Sequence, residues 1–164
     1  MTARRLILAA ALLAPLAARS PAQAQQADIT GPQPELPKER LVVVTRDGKP
    51  HEFQVELART PRQQEVGEMF RTSVPENGGM LFDWGAPQES NMWMRNTLVP
   101  LDMLFIGADG RVAAVAEDAV PRSLAIIQSG GPVRATLEVA GGTAKRLGIV
   151  VGDKVLSPAL GTQP

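Results

Sequence analysis

Six consecutive residues, Met92-Trp93-Met94-Arg95-Asn96-Thr97, followed at once by Pro100-Leu101-Asp102, hold the most chemically versatile side chains of this 164-residue chain. On an extended strand Met92, Met94 and Asn96 share one face, while Trp93 and Arg95 share the other. An aromatic platform beside a guanidinium suits a carboxylate, a phosphate or a sugar. The competing reading is packing, with Trp93 filling the core and Arg95 held by an acid. Asp102 opens an apolar strand, with Leu104 and Ile106 on its face. A buried carboxylate without a donor is costly, and Arg95 and Asn96 are the nearest polar candidates in sequence. The pairing expected for Asp102 is therefore structural, with Arg95 or Asn96 as its partner. Trp93, Arg95, Asn96, Thr97 and Asp102 form the candidate ligand-binding set.

Other chemistry is weaker. Met69, Met80, Met92, Met94 and Met103 are thioethers of the kind that selects Cu(I), yet each sits among apolar residues and is expected to pack. His51 is the single histidine, so it alone could supply an imidazole. Ser123 and Ser129 lack the Gly-x-Ser-x-Gly setting of a nucleophile. Glu65, Asp83, Glu89, Asp102 and Glu138 could supply a carboxylate pair for glycan cleavage, but spacing alone cannot bring two within the roughly 5–9 Å that chemistry requires. Gly78-Gly79 and Gly130-Gly131 read as turn glycines outside any phosphate-binding loop. No metal site and no cofactor is expected.

Arg4 and Arg5, the apolar Leu6–Ala18 run and the small-x-small Ala22-Gln23-Ala24 have the order of a cleavable secretory signal over residues 1–24. The run is too short for the roughly 20 residues of a membrane span, so a periplasmic or secreted protein with no stable span is expected. Of the 17 basic residues three, Arg4, Arg5 and Arg19, lie in this segment and none of the 17 acidic ones does, leaving the remainder acidic by three charges. Such a balance, without a basic block, offers no footprint for nucleic acid. The chain has no cysteine, which removes disulfides, thiolate nucleophiles and Cys-based metal sites.

Residues 25–38, with Pro32, Pro34, Pro37 and Gly31, are expected to form a flexible or extended leader. A single domain follows over 39–158, with a tail over 159–164. Within it Leu41–Thr45 is β-branched, Asp47-Gly48 signals a hairpin, and His51–Leu57 alternates with Phe53, Val55 and Leu57 on its buried face. Thr60-Pro61-Arg62-Gln63 has the pattern of a capping box, predicting a helix from Pro61 to about Phe70, where Gly67 implies close packing. Strands are predicted at Met80–Asp83, Ser90–Arg95, Leu101–Ile106, Val112–Glu117, Val133–Val139 and Lys154–Leu156, with a short helix over Gly141–Leu147. The class is mainly β, a compact antiparallel β-sandwich or partly closed barrel with two short helices.

Four segments together resemble a known family. They are Arg59-Thr60-Pro61 through Gly67-Glu68-Met69-Phe70-Arg71, then Gly79-Met80-Leu81-Phe82, then Met92 to Thr97 with Pro100-Leu101-Asp102, and last Leu137-Glu138-Val139 to Gly152-Asp153. Their order and spacing are similar to those of domain of unknown function 192, an exported bacterial and archaeal family. The resemblance spans about residues 40–157. It implies a compact β fold and no reaction. Glu68 stands where the resemblance implies an apolar residue, commonly Leu. The reading is an exported, non-enzymatic binding or accessory module for an unknown small molecule or envelope component. The alternatives are a carboxylate-dependent hydrolase of an envelope glycan and, more remotely, a methionine-based Cu(I) binder.

Overall fold

A computed structural model describes residues 28–163, so the expected signal and the first residues of the leader lie outside the described residues. In chain order the domain comprises β1 (Lys38–Val44), β2 (Pro50–Ala58), α1 (Pro61–Val66), β3 (Gly78–Met92), β4 (Leu101–Ile106), β5 (Val112–Ala119), β6 (Ile127–Ala140), α2 (Thr143–Leu147) and β7 (Lys154–Leu156). The seven strands form one sheet in the order β5-β4-β6-β3-β2-β1-β7. It is a curled half-barrel, as the partly closed barrel reading expected. Its two edges meet at one end, where Arg111 bridges Lys154 and the Val155 amide donates to the Gly110 carbonyl at 2.7 Å. That contact covers backbone groups which an open edge would leave unpaired.

The pairing is antiparallel except between β2 and β3, which run parallel. A parallel pair needs a crossover connection, and α1 with residues 67–77 supplies it. This crossover roofs one face of the sheet. Gln64 fastens the roof by donating its side-chain amide to the Ala58 and Asp83 carbonyls at 3.2 and 2.8 Å. α1 begins with the predicted capping box, in which Thr60 and Gln63 exchange bonds at 3.3 and 2.9 Å. It ends at Gly67, short of Phe70, because Gly67 takes a positive φ of 49°. A methyl group at Gly67 would stand 3.0 Å from the Phe82 ring, which is the close packing the glycine implied.

Alternation along the strands therefore divides two apolar clusters between the two faces. Phe53, Val55, Leu57, Leu81, Leu104 and Leu137 belong to the first. Met80, Phe82, Met94, Leu101, Met103 and Phe105 belong to the second, under the crossover. The glycines Gly78 and Gly79 open β3 rather than forming a turn. β6 passes so close that a Cβ on Gly79 would lie 2.2 Å from the Glu138 carbonyl oxygen. Gly130 and Gly131 likewise lie within β6.

Asp102 is fully buried, and its partners differ from those expected. Oδ1 accepts from the amides of Asp118 and Gly142 at 2.8 and 3.0 Å, and Oδ2 accepts from Ala144 at 2.7 Å. Neither Arg95 nor Asn96 binds it. The side chain points with Leu104 and Ile106 toward the first cluster, where the end of β5 and the start of α2 offer unpaired N–H groups. Three such bonds satisfy the carboxylate without a cation. Asp102→Asn should destabilise the domain by about 3 kcal/mol, since the amide opposes donors with a donor. Arg95→Met should cost less than about 1 kcal/mol, the scale of an exposed cation–π contact. Urea unfolding of the double variant should give their sum within about 0.5 kcal/mol; a larger coupling would mean that the two residues do interact.

Candidate functional site

The roofed face carries charge. Glu56 of β2, Met80 of β3, Glu138 of β6 and Met103 of β4 are directly opposite one another across four adjacent strands. On an open sheet these glutamates would face water. Here residues 67–75 and the chain before β1 cover them, leaving Glu56 and Glu138 each 4% exposed. Glu68, which follows the turn at Gly67, hangs from the roof above the same row and is 3% exposed. Three nearly buried carboxyls thus lie under one roof.

One guanidinium stands among them. Arg71 clasps Glu56 with both terminal nitrogens, at 2.6 and 2.8 Å, and the Leu36 amide adds a third bond to Glu56 at 2.7 Å. Burial works against the charge of Glu56, but these donors hold its carboxyl below its ordinary value. Arg71 turns its Nε toward Glu68 Oε2 at 3.2 Å. That is ion-pair distance without hydrogen-bond alignment, and neither oxygen of Glu68 has a hydrogen-bond partner. Burial, only partly opposed by Arg71, lifts the Glu68 carboxyl to about 7. Burial together with the nearby charge of Glu68 pushes Glu138 well above the carboxylate range.

Glu68 and Glu138 both line a groove of about 380 Å³ between α1 and the segment after β3. Phe82, Trp84 and Trp93 contribute rings to it, and Met69 and Met92 contribute thioethers. Phe82 and Trp84 lie 5.8 Å apart between ring centroids, and Trp84 donates its indole N–H to Thr136 at 3.2 Å. On the other side of Glu68 a second groove is lined by Lys38, Gln54, Glu56, Arg71 and Gly79. Glu68 is the side chain the two grooves share.

The five residues expected as the ligand set are only partly brought together. Trp93 is 38% exposed at the rim of the first groove, and Thr97 lines it while itself buried. β3 ends at Met92, yet the alternation of buried Met92 and Met94 with exposed Trp93 and Arg95 persists. Arg95 lies over the Trp93 ring at 5.2 Å. Asn96 is a tie between segments. It adopts a positive φ of 57°, accepts from the Phe70 amide at 2.9 Å and directs its side-chain amide to Met69 sulfur at 3.8 Å. Asp102 is committed to the backbone and takes no part. Met94 is fully buried and Met92 nearly so, both as packing residues of the second cluster. Of the acids considered in sequence, Glu65 and Glu138 reach the groove, whereas Asp83 is engaged by Arg134 and Arg59. Glu68, Arg71 and Glu56 form a cluster that spacing in the sequence does not reveal. The only signal was Glu68 in a place where an apolar residue was expected.

The buried acids set the sign of the pH dependence. The folded chain keeps a proton on Glu68 up to about pH 7, whereas an unfolded glutamate releases it near pH 4.5, so stability falls as pH rises through that window. Glu138 adds the same sign. Glu56 and Asp83, whose carboxyls are held low, act only below it. Urea unfolding should show the domain less stable at pH 8 than at pH 5, with Glu68 alone contributing on the order of 3 kcal/mol. Glu68→Gln should flatten the profile. A wild-type domain that gains stability toward pH 8 would contradict this.

The comparisons with known proteins agree with this architecture. The family model DUF192, described as Uncharacterized ACR, matches residues 42–157. A crystal structure from Sinorhizobium meliloti 1021, of a protein proposed to be a transcription regulator, is 45% identical with a TM-score of 0.75, covering 77% of this chain and 98% of that one. A protein of unknown function from Novosphingobium aromaticivorans DSM 12444 is 43% identical with a TM-score of 0.72, covering 74% and 86%. No curated protein matches. With the matched region running from within β1 to the end of β7, the chain belongs to the DUF192 family.

Proposed function

We propose that this chain is an exported, non-enzymatic binding module whose ligand occupies the groove bounded by α1, Trp84 and the Met92–Thr97 segment. The observation that carries the reading is Glu68, a carboxyl buried at the groove wall with both oxygens lacking a hydrogen-bond partner. Buried polar atoms in folded proteins are nearly always satisfied, and an orphan at a groove wall is a group that a ligand would satisfy. The groove volume lies within the range of small-molecule sites, and its mixture of rings with a few convergent polar groups is the usual composition of such sites. Export is supported by the three-zone order of residues 1–24. Among the described residues no helix is long and apolar enough to cross a membrane. The acidic balance of the chain after residue 24 gives no support to nucleic acid as the partner.

A hydrolytic reading is favoured by one feature, the placement of Glu68 and Glu138 in a common groove. Glycan cleavage needs one carboxyl held ionised beside one held protonated. Burial pushes both of these upward, and the one firmly ionised neighbour, Glu56, is enclosed by Arg71. Binding is therefore the better account.

Tryptophan emission of the mature protein, titrated with envelope glycan fragments and small envelope-derived amines, should change saturably with at least one ligand. Trp93→Ala and Glu68→Leu should each weaken that response at least tenfold, while release of reducing ends from the glycans stays at background. Glycan turnover abolished by Glu138→Gln would establish the hydrolase instead. N-terminal sequencing of protein from the envelope fraction should begin near Gln25; a product retaining Met1 would refute cleavage of the signal.

A further inference from the structure

The groove is unequal in charge. Glu65, Glu68 and Glu138 line it, and among the described residues no Lys, Arg or His does. Its remaining polar side chains are largely engaged within the protein. Gln64 donates to Ala58 and Asp83, Asn91 accepts from Gln128 at 3.1 Å, and Thr97 donates to the Arg95 carbonyl at 3.5 Å. A neutral, hydroxyl-rich ligand would find few partners besides the carboxyls, and an anion would meet three acids. A cation would meet Glu138, which no cation contacts, and Glu68, which Arg71 only partly offsets, together with the negative faces of aromatic rings. Arg95, already stacked on Trp93 at the rim, shows that this ring accepts a cation.

We infer that the ligand is an organic ammonium, an amine carried on an apolar or ring-shaped body, with its nitrogen between Glu68 and Glu138 and its body against Met69, Met92, Trp84 and Trp93. The inference rests on the binding reading above and adds the ligand class. A metal ion fits poorly. Among the described residues no group of three or more His, Asp or Glu side chains is arranged to hold one, and with Glu65 paired to Arg62 the groove offers two carboxyls where a hard cation takes about six oxygens. The charged neighbours complete the account. Arg71 stands behind Glu68 on the side of the second groove and is clasped by Glu56, Glu65 is paired with Arg62 at 3.0 Å, and Arg95 lies outside on Trp93. None of these supplies a cation to Glu138 from within the groove.

Binding of an ammonium selects the ionised carboxyl and must release the proton held in its absence. Affinity should therefore fall about tenfold per pH unit below pH 7, following the ionised fraction of Glu68. The test uses the full mature protein with 2-phenylethylamine and its neutral counterpart 2-phenylethanol, read by Trp emission and by calorimetry in two buffers of different ionisation enthalpy. The amine should bind at least tenfold more tightly than the alcohol, lose at least tenfold in affinity from pH 7.5 to 5.5, and release protons. Glu68→Leu should weaken amine binding at least tenfold at pH 7.5 and reduce its pH dependence to what Glu138 contributes, and Glu68→Gln serves the same purpose if the leucine variant fails to fold. Equal affinity for amine and alcohol, or tighter amine binding at pH 5.5, would overturn the inference. A neutral glycan that saturates the Trp93 response while the amine does not would also overturn it and leave the binding groove intact. If no ligand of either class produces a saturable response, the groove reading fails and the ammonium fails with it.

Discussion

One guanidinium serves three carboxyls, and the rest of the site follows from that shortage. Arg71 commits both terminal nitrogens to Glu56 and has only its Nε left for Glu68. Glu138 has no cation in contact with it among the described residues, only the field of Arg71. In water this would matter little. Under a roof that removes water, an uncompensated carboxyl must hold a proton or find a partner. The same shortage thus lowers stability at alkaline pH and leaves carboxyls that an added donor or cation would satisfy.

The roof is itself a consequence of topology. Joining β2 to β3 in parallel obliges the chain to cross over the sheet, and α1 with the turn at Gly67 is how it does so. The capping box fixes where the helix begins, and the two bonds from Gln64 fix its distance from the sheet. Asn96 then joins the far end of the roof to the loop that carries Trp93. The groove is bounded by these two segments, so its width is set by their separate attachments rather than by a single rigid element. On the opposite face Asp102 sews β4 to β5 and α2. It belongs to the scaffold that keeps the sheet curled, away from the groove.

The candidate set read from sequence mixed two kinds of residue that the fold separates. Trp93 reaches the groove because alternation carries past the end of β3, and Thr97 reaches it after the turn at Asn96, where its amide bonds back to the Met94 carbonyl. Asn96 and Asp102 share a polar character, but the Asn96 side chain turns to the Met69 sulfur while its backbone carbonyl holds Phe70, and the Asp102 carboxylate takes three backbone amides. The partners of both side chains come from segments distant in sequence, so polarity alone could not distinguish a ligand contact from a tertiary tie. Closeness in sequence points Arg95 to Asp102. Its actual neighbour is the ring two residues earlier, since both project from the same side of an extended segment.

Periodicity, turn chemistry and capping patterns determined most of the local structure. The half-buried β2 strand, the start of α1 at Pro61, the hairpin turns and the mainly β class all follow from side-chain alternation and from backbone preferences that act over a few residues. The same reading put Glu56 on the polar side of its strand, and locally that is correct. Glu138 was available only as one acid among several, and Glu68 only as a polar residue in an apolar place. Tertiary structure decided that the polar side of β2 and β6 lies beneath the crossover, so that Glu56 and Glu138 lie with Glu68 under one roof and Arg71 reaches only Glu56 and Glu68. Alternation says which side of a strand a residue occupies; whether that side meets water depends on a chain segment that returns from elsewhere, and a pattern of period two carries no information about it.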